Sequence, residues 1–242
     1  MPPNSSVTSP QVLQQYTEGN LSFVGIRLQE ADFTGRILQR IDFCQADLRQ
    51  SHFGKSDLQQ ANLQQANLSE AILWGTNLSL AQLQGIQLRE ADLSGAILIK
   101  AQLQGANLCK AILSGVNLSQ ANLEAALLLD ADLRSSATHR TDLSSARLCH
   151  ADLSYVRLDG ANLNGADLQR ARLCRASLGQ SREQSGMAVD LRGANLQGAD
   201  LSYADLTGAN LQGVDLRQTD LTGTTLAQAD LSGAQLPEHQ LC

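Results

Sequence analysis

Residues of the types that carry metal binding or catalysis are few and scattered in this sequence. The four histidines are His52, His139, His150 and His239, and no two of them have the spacing of metal ligands. The glycines form neither a G-x-G-x-x-G nor a G-x-x-x-x-G-K-[ST] phosphate loop. The aspartates are numerous, but they recur at one fixed place in a short repeat, which is typical of residues that hold a turn. We therefore expect no catalytic residue, no metal site and no cofactor, and we predict that the protein is not an enzyme.

The composition excludes several other classes of protein. The chain has 242 residues, a formal net charge of −6, 43% hydrophobic residues and 3% aromatic residues. That apolar content is too high for a disordered chain, and no run approaches the roughly 20 apolar residues that span a bilayer. The modest charge gives no sign of nucleic-acid binding. The first ten residues lack the features of a signal peptide, and five cysteines, an odd number, favour a reducing compartment. We expect a cytoplasmic protein that binds neither membrane nor nucleic acid.

A repeat of five residues dominates the chain. From Phe23 to Leu178 every fifth residue is Leu or Phe except Thr138, and the same spacing returns from Leu191 to Leu236. These 41 positions, 37 Leu and four Phe, are called centres below. Ala lies two residues before the centre in 26 units, and Asp or Asn lies directly before it in 24 units. The unit is therefore A-[D/N]-L-x-x, and this unit must position whatever the surface displays.

The five-residue spacing fits neither a helix nor a flat strand. On an α-helix five residues turn about 500°, so a leucine stripe would drift about 140° per unit. On a strand, a shift of five residues moves the side chain to the opposite face. Both conflicts disappear if the chain turns a corner after each unit, so that Ala and Leu point inward and successive coils stack about 4.8 Å apart. The short Asp or Asn side chain then bonds nearby backbone at the turn.

These tandem units resemble the pentapeptide-repeat family over about residues 20–237. The resemblance implies an all-β fold, a right-handed quadrilateral parallel β-helix with four units in each coil. In such a coil Phe23 would stack on Phe43 and Phe33 on Phe53, on opposite faces. Cys109 and Cys149 would occupy equivalent positions two coils apart, at about 10 Å, which is too far for a disulfide.

The two ends and two interruptions complete the predicted organisation. We predict a tail and a short capping helix in residues 1–19, with Ser9 as N-cap and Gly19 as the stop. The helix would place three apolar side chains over the first coil, those of Val12, Leu13 and Tyr16. The segment 135–140 spoils one unit but conserves the length, which predicts a bulge or short detour on one face.

The second interruption and the C-terminal end carry further expectations. Leu191 is the next centre after Leu178 and comes much later than one unit, so residues 179–188 are predicted to be an extruded loop. Residues 238–242 are predicted to be a tail. Some members of the family dimerise through an apolar C-terminal helix, and no such helix follows the last centre here. We therefore expect a monomer.

Two groups of residues stand out on the predicted outer surface. The first is apolar, includes the single Trp of the chain, and converges across one edge of the third to fifth coils. A contiguous exposed apolar patch is typical of a partner site, and β-propensity alone is the competing explanation. Its six members are Ile72, Trp74, Leu80, Ile97, Ile99 and Ile112.

The second group is basic and lies in the middle of the chain, with Tyr155 nearby. It is interpreted either as a solvated face partly paired with Asp152 and Asp167 or as a secondary site for an acidic protein surface. Its six members are Arg134, Arg147, Arg157, Arg170, Arg172 and Arg175.

Within the family, the chain is similar to the cyanobacterial HetL-type regulators of heterocyst differentiation. The fragments that carry this similarity are SEAILWG at 69–75, RTDL at 140–143 and GADLSYADL at 198–206. The resemblance implies a protein-interaction scaffold, a negative regulator that binds a developmental transcription regulator such as HetR. The alternative is a DNA-mimicking inhibitor or protector of DNA gyrase, which the small net charge and the Arg-rich middle disfavour. A scaffold without a specific partner is a third reading.

Overall fold

The chain winds as a regular coil that makes one parallel β-bridge on each side. The computed structural model describes residues 8–180 and 187–237. In these residues the one helix, α1, spans Ser9–Thr17, and every strand is a single bridge residue. Bridges in the lower coils join residues 20 apart, as in Ser22↔Asp42 and Arg27↔Asp47. Four units therefore make one coil, and the predicted four-sided parallel β-helix is confirmed.

The four sides are named here by their first centres. Face 1 begins at Phe23, face 2 at Leu28, face 3 at Phe33 and face 4 at Leu38, and Phe43 returns to face 1. Along each unit the residue before the centre makes the bridge, and the second residue after the centre lies at the corner that leads to the next face.

The unit around Leu63 shows how this backbone is satisfied. The N–H of Leu63 donates to the carbonyl of Gln82 in the next coil at 2.8 Å, and the N–H of Asn62 donates to the previous coil at 2.9 Å. The N–H of Ala66 closes a turn by donating to the carbonyl of Leu63 at 3.1 Å. Within that turn Gln65 has a φ of +56°, and a positive φ at this place is what a type II turn requires. Corner side chains therefore project outward at the same place in every coil.

The interior is filled by the centres and by the small residues that precede them. Leu63 and most other centres are fully buried, and each buried Leu stabilises the fold by about 1.5–3 kcal/mol. The predicted phenylalanine pairs are confirmed, with ring centroids 5.8 Å apart for Phe23 and Phe43 and 5.0 Å apart for Phe33 and Phe53. Phe33 also contacts Phe43 across the interior at 5.9 Å, so the lower coils hold one aromatic cluster.

The Asp and Asn residues of the bridges bond their own turns, as predicted. Oδ1 of Asp92 accepts the N–H of Ser94 at 2.9 Å and its hydroxyl at 2.6 Å. Oδ1 of Asn77 accepts the N–H of Ser79 at 3.1 Å in the same way. The side chain thus satisfies a backbone donor that the ladder leaves over at each turn.

Helix α1 covers the lower end of the coil. It begins one residue earlier than predicted, because the N-cap is Thr8 rather than Ser9. Gln11 stands three residues after Thr8, and its Oε1 accepts the Thr8 N–H at 2.8 Å, which completes a capping box. Val12 is fully buried against the first coil, and the hydroxyl of Tyr16 donates to a carbonyl of that coil at 3.0 Å.

Residues 135–140 leave the coil at the corner between faces 3 and 4. Asn117 bridges Asp142 rather than Ala137, which is where the spacing of the lower coils would place its partner. The segment therefore adds one whole unit outside the coil, and Leu143 continues on face 4. The predicted short detour is confirmed and the five-residue spacing is kept, but the segment does not take the place of a unit in the coil, because Thr138 is exposed and fills no place in the core.

The extra unit changes which residues lie above one another. Cys109 is on face 2, where Leu129 lies directly above it, whereas Cys149 is on face 1. The prediction that these two cysteines are equivalent positions two coils apart was therefore wrong. The four cysteines in residues 8–180 and 187–237 are free thiols, namely Cys44, Cys109, Cys149 and Cys174.

The second interruption also shifts the ladder. Asn162 bridges Asp190, well beyond the usual coil length, and an antiparallel bridge joins Gln180 to Ala188 at the base of the insertion. Residues 181–186 of the predicted 179–188 loop lie outside the described residues, and so does the predicted tail 238–242. Within the residues that the structure describes, no helix is long and apolar enough to cross a membrane.

Candidate partner-binding surfaces

The six apolar side chains singled out in the sequence lie on faces 3 and 4 in three successive coils. We call them the apolar patch: Ile72, Trp74, Leu80, Ile97, Ile99 and Ile112. Ile72 and Ile112 are exposed on face 3, and Asp92 is the bridge residue between them. The carboxylate of Asp92 interrupts the apolar surface. It accepts two hydrogen bonds from its own turn, so it is satisfied within the protein.

Trp74 is the largest member of the patch and lies directly after its centre on face 3. Its indole rests on Gly54 in the coil below, where an added Cβ would come 2.7 Å from Nε1. The Lys55 ammonium lies over the same ring, 4.8 Å from the centroid, within the range of a cation–π interaction. Trp74 remains 39% exposed. The contacts with Gly54 and Lys55 therefore orient the indole ring in the absence of a partner.

The other members continue the patch around the corner onto face 4. Ile97 is exposed on the bridge column of face 4, and Ile99 is half-buried after the next centre. Leu80 lies at the far corner of face 4 and is 49% exposed, and its N–H donates to the Ile99 carbonyl at 2.9 Å. The sequence placed all six residues at one edge, whereas the structure spreads them over the full width of face 4.

The patch has structural borders above and below. The corner between faces 3 and 4 carries three glycines in successive coils, Gly75, Gly95 and Gly115, so it is bare of side chains. The detour of residues 135–140 lies over the last of them, since a Cβ on Gly115 would come 2.8 Å from the Ser136 Oγ. Lys55 lies at the lower end of the same corner. The corner is therefore a strip without side chains that runs from Lys55 to the detour of residues 135–140.

The three lysines of the chain, Lys55, Lys100 and Lys110, all border the apolar patch. Lys100 lies at the corner directly above Leu80, and Lys110 lies at the opposite corner, where face 3 begins. Within the described residues none of the three forms an ion pair, whereas most arginines do. The patch thus has a cationic margin at Lys55 and Lys100 on the face 4 side, whereas the corner where face 3 begins is mixed, with Glu70 and Glu90 in the coils below Lys110.

The six arginines of the predicted basic face lie on three faces of the coil. Their placement follows the extra unit at 135–140: Arg147 and Arg170 belong to units of face 1, Arg172 and Arg175 to units of face 2, and Arg134 and Arg157 to units of face 3. They therefore do not form a single basic face. A further apolar pair noted in the sequence, Leu127 and Leu129, is exposed on face 2.

Four of these arginines are held by carboxylates. Arg134 and Arg157 both bind Asp132, at 2.9 and 3.1 Å, in a cluster on face 3. Burial of Asp132 would raise its pKa, but the hydrogen bonds from Arg134 and the charge of Arg157 outweigh burial and hold that pKa below its usual value. The other two pairs are Arg147 with Glu124 at 3.3 Å and Arg172 with Asp152 at 3.5 Å.

Arg175 has a different environment, which the sequence did not reveal. Its guanidinium carbon lies over the ring of Tyr155 at 5.8 Å and over the ring of Tyr203 at 5.7 Å. The three residues occupy the corner after face 2 in successive coils, and the tyrosines are 48% and 59% exposed. Sequence reasoning noted Tyr155 but missed Tyr203, because the 179–188 insertion places Tyr203 outside the regular spacing. The signal that could have found Tyr203 is its place in the unit, because Tyr155, Arg175 and Tyr203 are each the second residue after a centre.

No metal centre emerges in residues 8–180 and 187–237, where no group of three His, Cys, Asp or Glu side chains could hold an ion. His52, His139 and His150 lie apart on the coil, and His239 lies outside the described residues.

The stacked bridges, the filled interior and the five-residue unit define the class of this protein, a tandem-repeat β-helix that displays columns of side chains. The chain belongs to the pentapeptide-repeat family, whose model, described as pentapeptide repeats, matches eight copies at residues 26–65, 61–98, 76–115, 86–124, 111–136, 141–180, 188–223 and 209–242.

One solved structure is similar along nearly the whole chain. It is HetL, a pentapeptide repeat protein involved in heterocyst differentiation regulation from the cyanobacterium Nostoc sp. strain PCC 7120. The two share 47% sequence identity with a TM-score of 0.95, covering 98% of this chain and 100% of HetL. The predicted similarity to HetL-type proteins is confirmed.

Two other solved structures resemble the chain less closely. The pentapeptide repeat protein alr5209 from Nostoc PCC 7120 is 37% identical over 41% of this chain and 77% of its own, with a TM-score of 0.35. QnrB1, a plasmid-mediated fluoroquinolone resistance protein, is 21% identical over 91% of both chains, with a TM-score of 0.38. Neither supports a functional argument. A comparison with curated proteins gave no match.

Proposed function

We propose that this chain is a non-enzymatic protein-interaction scaffold that regulates heterocyst differentiation in a cyanobacterium by binding a HetR-type transcription regulator. The observation that carries the proposal is the similarity to HetL over 98% of the chain. The filled interior supports a scaffold, because a coil packed with leucines presents its chemistry only on the outside.

The apolar patch is the proposed docking surface. Trp is a favoured hot-spot residue, and Trp74 is already fixed by Gly54 and Lys55, so little side-chain freedom is lost on binding. The bare glycine corner beside it lets a partner approach the backbone closely. The protein acts as a monomer in this proposal, with one patch per chain.

The charged residues at the margin of the patch indicate the chemistry of the partner. On the face 4 side, Lys55 and Lys100 pair with no carboxylate in the described part of the chain, and the bridge and turn columns of face 4 at this level carry Asn, Ser and Ile rather than acidic residues. The face 3 side is mixed, because Glu70 and Glu90 lie below Lys110 at its corner. Such a surface complements a partner segment with apolar side chains at its centre and Asp or Glu on the side that meets face 4.

A titration of a HetR-type regulator tests the proposal. The double variant Trp74→Ala/Ile97→Ser is expected to bind at least about tenfold more weakly, since truncating a hot-spot residue removes about 2 kcal/mol or more. The matched control is Ile37→Ser, because Ile37 is exposed in the same bridge column as Ile97 but lies outside the patch. Absence of binding by the unaltered protein overturns the choice of partner, and unchanged binding by the double variant overturns the choice of surface.

The direction of regulation implied by the family resemblance is negative. Overproduction of the chain in a heterocyst-forming cyanobacterium is then expected to lower the fraction of heterocysts. A higher fraction would reverse the sign of the regulation, and no change would overturn the regulatory role.

Inhibition or protection of DNA gyrase is the alternative function, and a gyrase supercoiling assay separates it. A DNA mimic presents a strongly acidic surface, whereas this chain has a net charge of −6 and carries its three lysines beside its most apolar surface. We expect no dose-dependent inhibition of supercoiling, and clear inhibition would reverse the ranking of the two functions.

A further inference from the structure

The corner after face 2 holds a stack of three side chains that the docking of the apolar patch does not use. Tyr155, Arg175 and Tyr203 lie one above another in successive coils, and each has a φ between +57° and +59°, so each side chain leaves the backbone in the same direction. The stack ends on Gly223, where an added Cβ would come 2.7 Å from the Cδ1 atom of Tyr203. Gly223 therefore leaves the space in which the ring of Tyr203 lies.

The guanidinium of Arg175 is held between the two rings with its N–H groups unused. The ring distances of 5.8 and 5.7 Å place an aromatic face on either side of it, and both contacts are within cation–π range. None of its side-chain N–H groups donates a hydrogen bond within the described residues, and it forms no ion pair there. The donors at its rim are therefore available to a ligand.

Comparison with the other arginines shows what is particular to Arg175. Arg49, Arg192 and Arg217 each bind the Asp two residues earlier, at 2.8, 2.7 and 2.6 Å. Arg175 is the second residue after its centre, so the residue two positions before it is Leu173, which offers no carboxylate. Arg27, Arg36, Arg40 and Arg170 also make no ion pair and no side-chain hydrogen bond within the described residues, so what distinguishes Arg175 among them is its support by two exposed aromatic rings.

The surroundings of the stack are basic within an acidic chain. Arg172 lies on the adjoining face 2 and its side chain is 65% exposed, while Arg170 lies at the other corner of the same face. The nearby carboxylates are already engaged, since Asp152 accepts two bonds from Ser154 and Asp200 accepts the N–H of Ser202. An anionic group that approaches this side of the coil therefore meets Arg175 and Arg170, which form no ion pair within the described residues, and Arg172, which is shared with Asp152 at 3.5 Å.

We propose that the Tyr155–Arg175–Tyr203 stack is a second protein-binding site, which takes a carboxylate side chain of an acidic partner segment on the rim of Arg175. A planar guanidinium binds a carboxylate through two parallel N–H bonds, and the rings keep it in the orientation that this requires. Tyr and Arg are also the residue types enriched at binding hot spots. A protein segment fits better than nucleic acid, because Asp130 directly below the stack repels a phosphate backbone that runs along the corner, whereas a single carboxylate side chain can reach Arg175 without passing Asp130.

Fluorescence anisotropy with a labelled oligoglutamate peptide and the full chain tests this site. We expect saturable binding that Arg175→Lys weakens at least about fivefold, because a lysine ammonium keeps the charge but lacks the planar fork. Tyr203→Ala is expected to weaken binding in the same direction. The matched control is Arg49→Lys, since Arg49 lies on face 2 and is already bound to Asp47.

The outcomes separate this site from the apolar patch and from nucleic-acid binding. The Trp74→Ala/Ile97→Ser variant is expected to bind the peptide like the unaltered protein, so a failure of the proposed regulator binding does not affect this result. No saturable binding, or an equal loss in Arg49→Lys and Arg175→Lys, overturns the site. Tighter binding of a single-stranded oligonucleotide that depends on Arg175 overturns its assignment to a protein partner.

Discussion

The indole of Trp74 lies directly on Gly54, the residue at the same place in the coil below. An added Cβ on Gly54 would come 2.7 Å from Nε1 and 3.0 Å from Cε2 of that indole. Gly54 does not occupy the left-handed region, so the absence of a side chain there serves the tryptophan and not the turn. One glycine thus decides how the largest apolar side chain of the outer surface is displayed.

Replacing Gly54 by alanine is expected to move the indole away from the coil without disturbing the backbone. Because Trp74 is the single tryptophan, its emission spectrum reports the change directly. We expect a red shift of the emission and stronger quenching by acrylamide, together with weaker binding to the proposed regulator. Ser114→Ala is the control, since it alters the same column three coils above Gly54 and adds nothing below the ring. An unchanged spectrum in Gly54→Ala would contradict the contact.

The two arginines on Asp132 lead to a prediction about acid stability. Asp132→Asn keeps the oxygen that accepts the Arg134 N–H but removes the charge that both arginines bind, so we expect a loss of about 1–2 kcal/mol in the free energy of unfolding at neutral pH. The pKa of Asp132 is lowered in the folded protein. Its carboxylate therefore contributes stability above the unfolded pKa of about 3.9, and that contribution is lost as the pH falls through the lower folded pKa.

Urea unfolding of Asp132→Asn and the unaltered protein at a series of pH values measures this. The difference between them should be full near neutral pH and should shrink below about pH 4. Asp92→Asn is the matched control, because Asp92 holds the equivalent turn two coils below on face 3 and forms no ion pair within the described residues. A difference for Asp132→Asn that persists undiminished in acid would show that the charge is not its source.

The thiol of Cys149 is expected to resist alkylation at ordinary pH. Burial raises its pKa, the hydrogen bond and charge of Asp167 raise it further, and the result is a pKa of about 11. Since the thiolate is the reactive form, iodoacetamide should modify Cys149 appreciably only as the pH approaches that value. Peptide mapping by mass spectrometry gives the rate at this one position. Asp167→Asn is expected to increase the rate near pH 9, and an equal rate in both proteins would exclude Asp167 as a cause.

The sequence predicted most of the fold because one physical requirement repeats in it. Leu or Phe at every fifth position can be buried only if the chain turns after each unit, and the phenylalanine pairs then follow from the coil length. The number of sides came from the family resemblance, since the spacing of Leu63 and Leu68 is the same in a coil of any number of units. The N-cap was misplaced by one residue because Ser is preferred to Thr at this position, whereas Gln11 stands three residues after Thr8 and completes a capping box with it.

The candidate sites were less predictable, because they depend on which coil lies above which. Ile72 and Trp74 precede both interruptions, so their neighbours follow from counting residues. Beyond Thr138 the count fails by one unit, so every later arginine lies one face away from where counting by 20 would place it, and in either count the six arginines are spread over three faces. Tyr203 follows the second interruption as well, and its contact with Arg175 reaches across the whole insertion. A pattern of five residues cannot show whether an irregular unit lies inside the coil or outside it.

That distinction can be tested by removing the irregular unit. Deletion of Ser136–Arg140 joins Ser135 to Thr141 and recreates a regular unit between Leu133 and Leu143. We expect the shortened chain to fold with an unchanged β-rich circular dichroism spectrum, because the core contains no side chain from this segment except at its ends. The loss in unfolding free energy should be about 2–3 kcal/mol, since Arg140 donates to the carbonyls of Gly160 at 2.9 Å and Ala188 at 3.1 Å.

Two further variants make the result decisive. Arg140→Ala removes the same hydrogen bonds without shortening the chain, so its loss of stability should match that of the deletion. Deletion of Ser136–Thr138 alone leaves a two-residue bulge outside the coil, so the later units should keep their register and their cooperative unfolding, as the units after the longer 179–188 insertion keep theirs. If this shorter deletion unfolded the upper coils while the five-residue deletion did not, the segment 135–140 would have to belong to the coil, and the corrected register of faces 1 to 4 beyond Leu133 would be wrong.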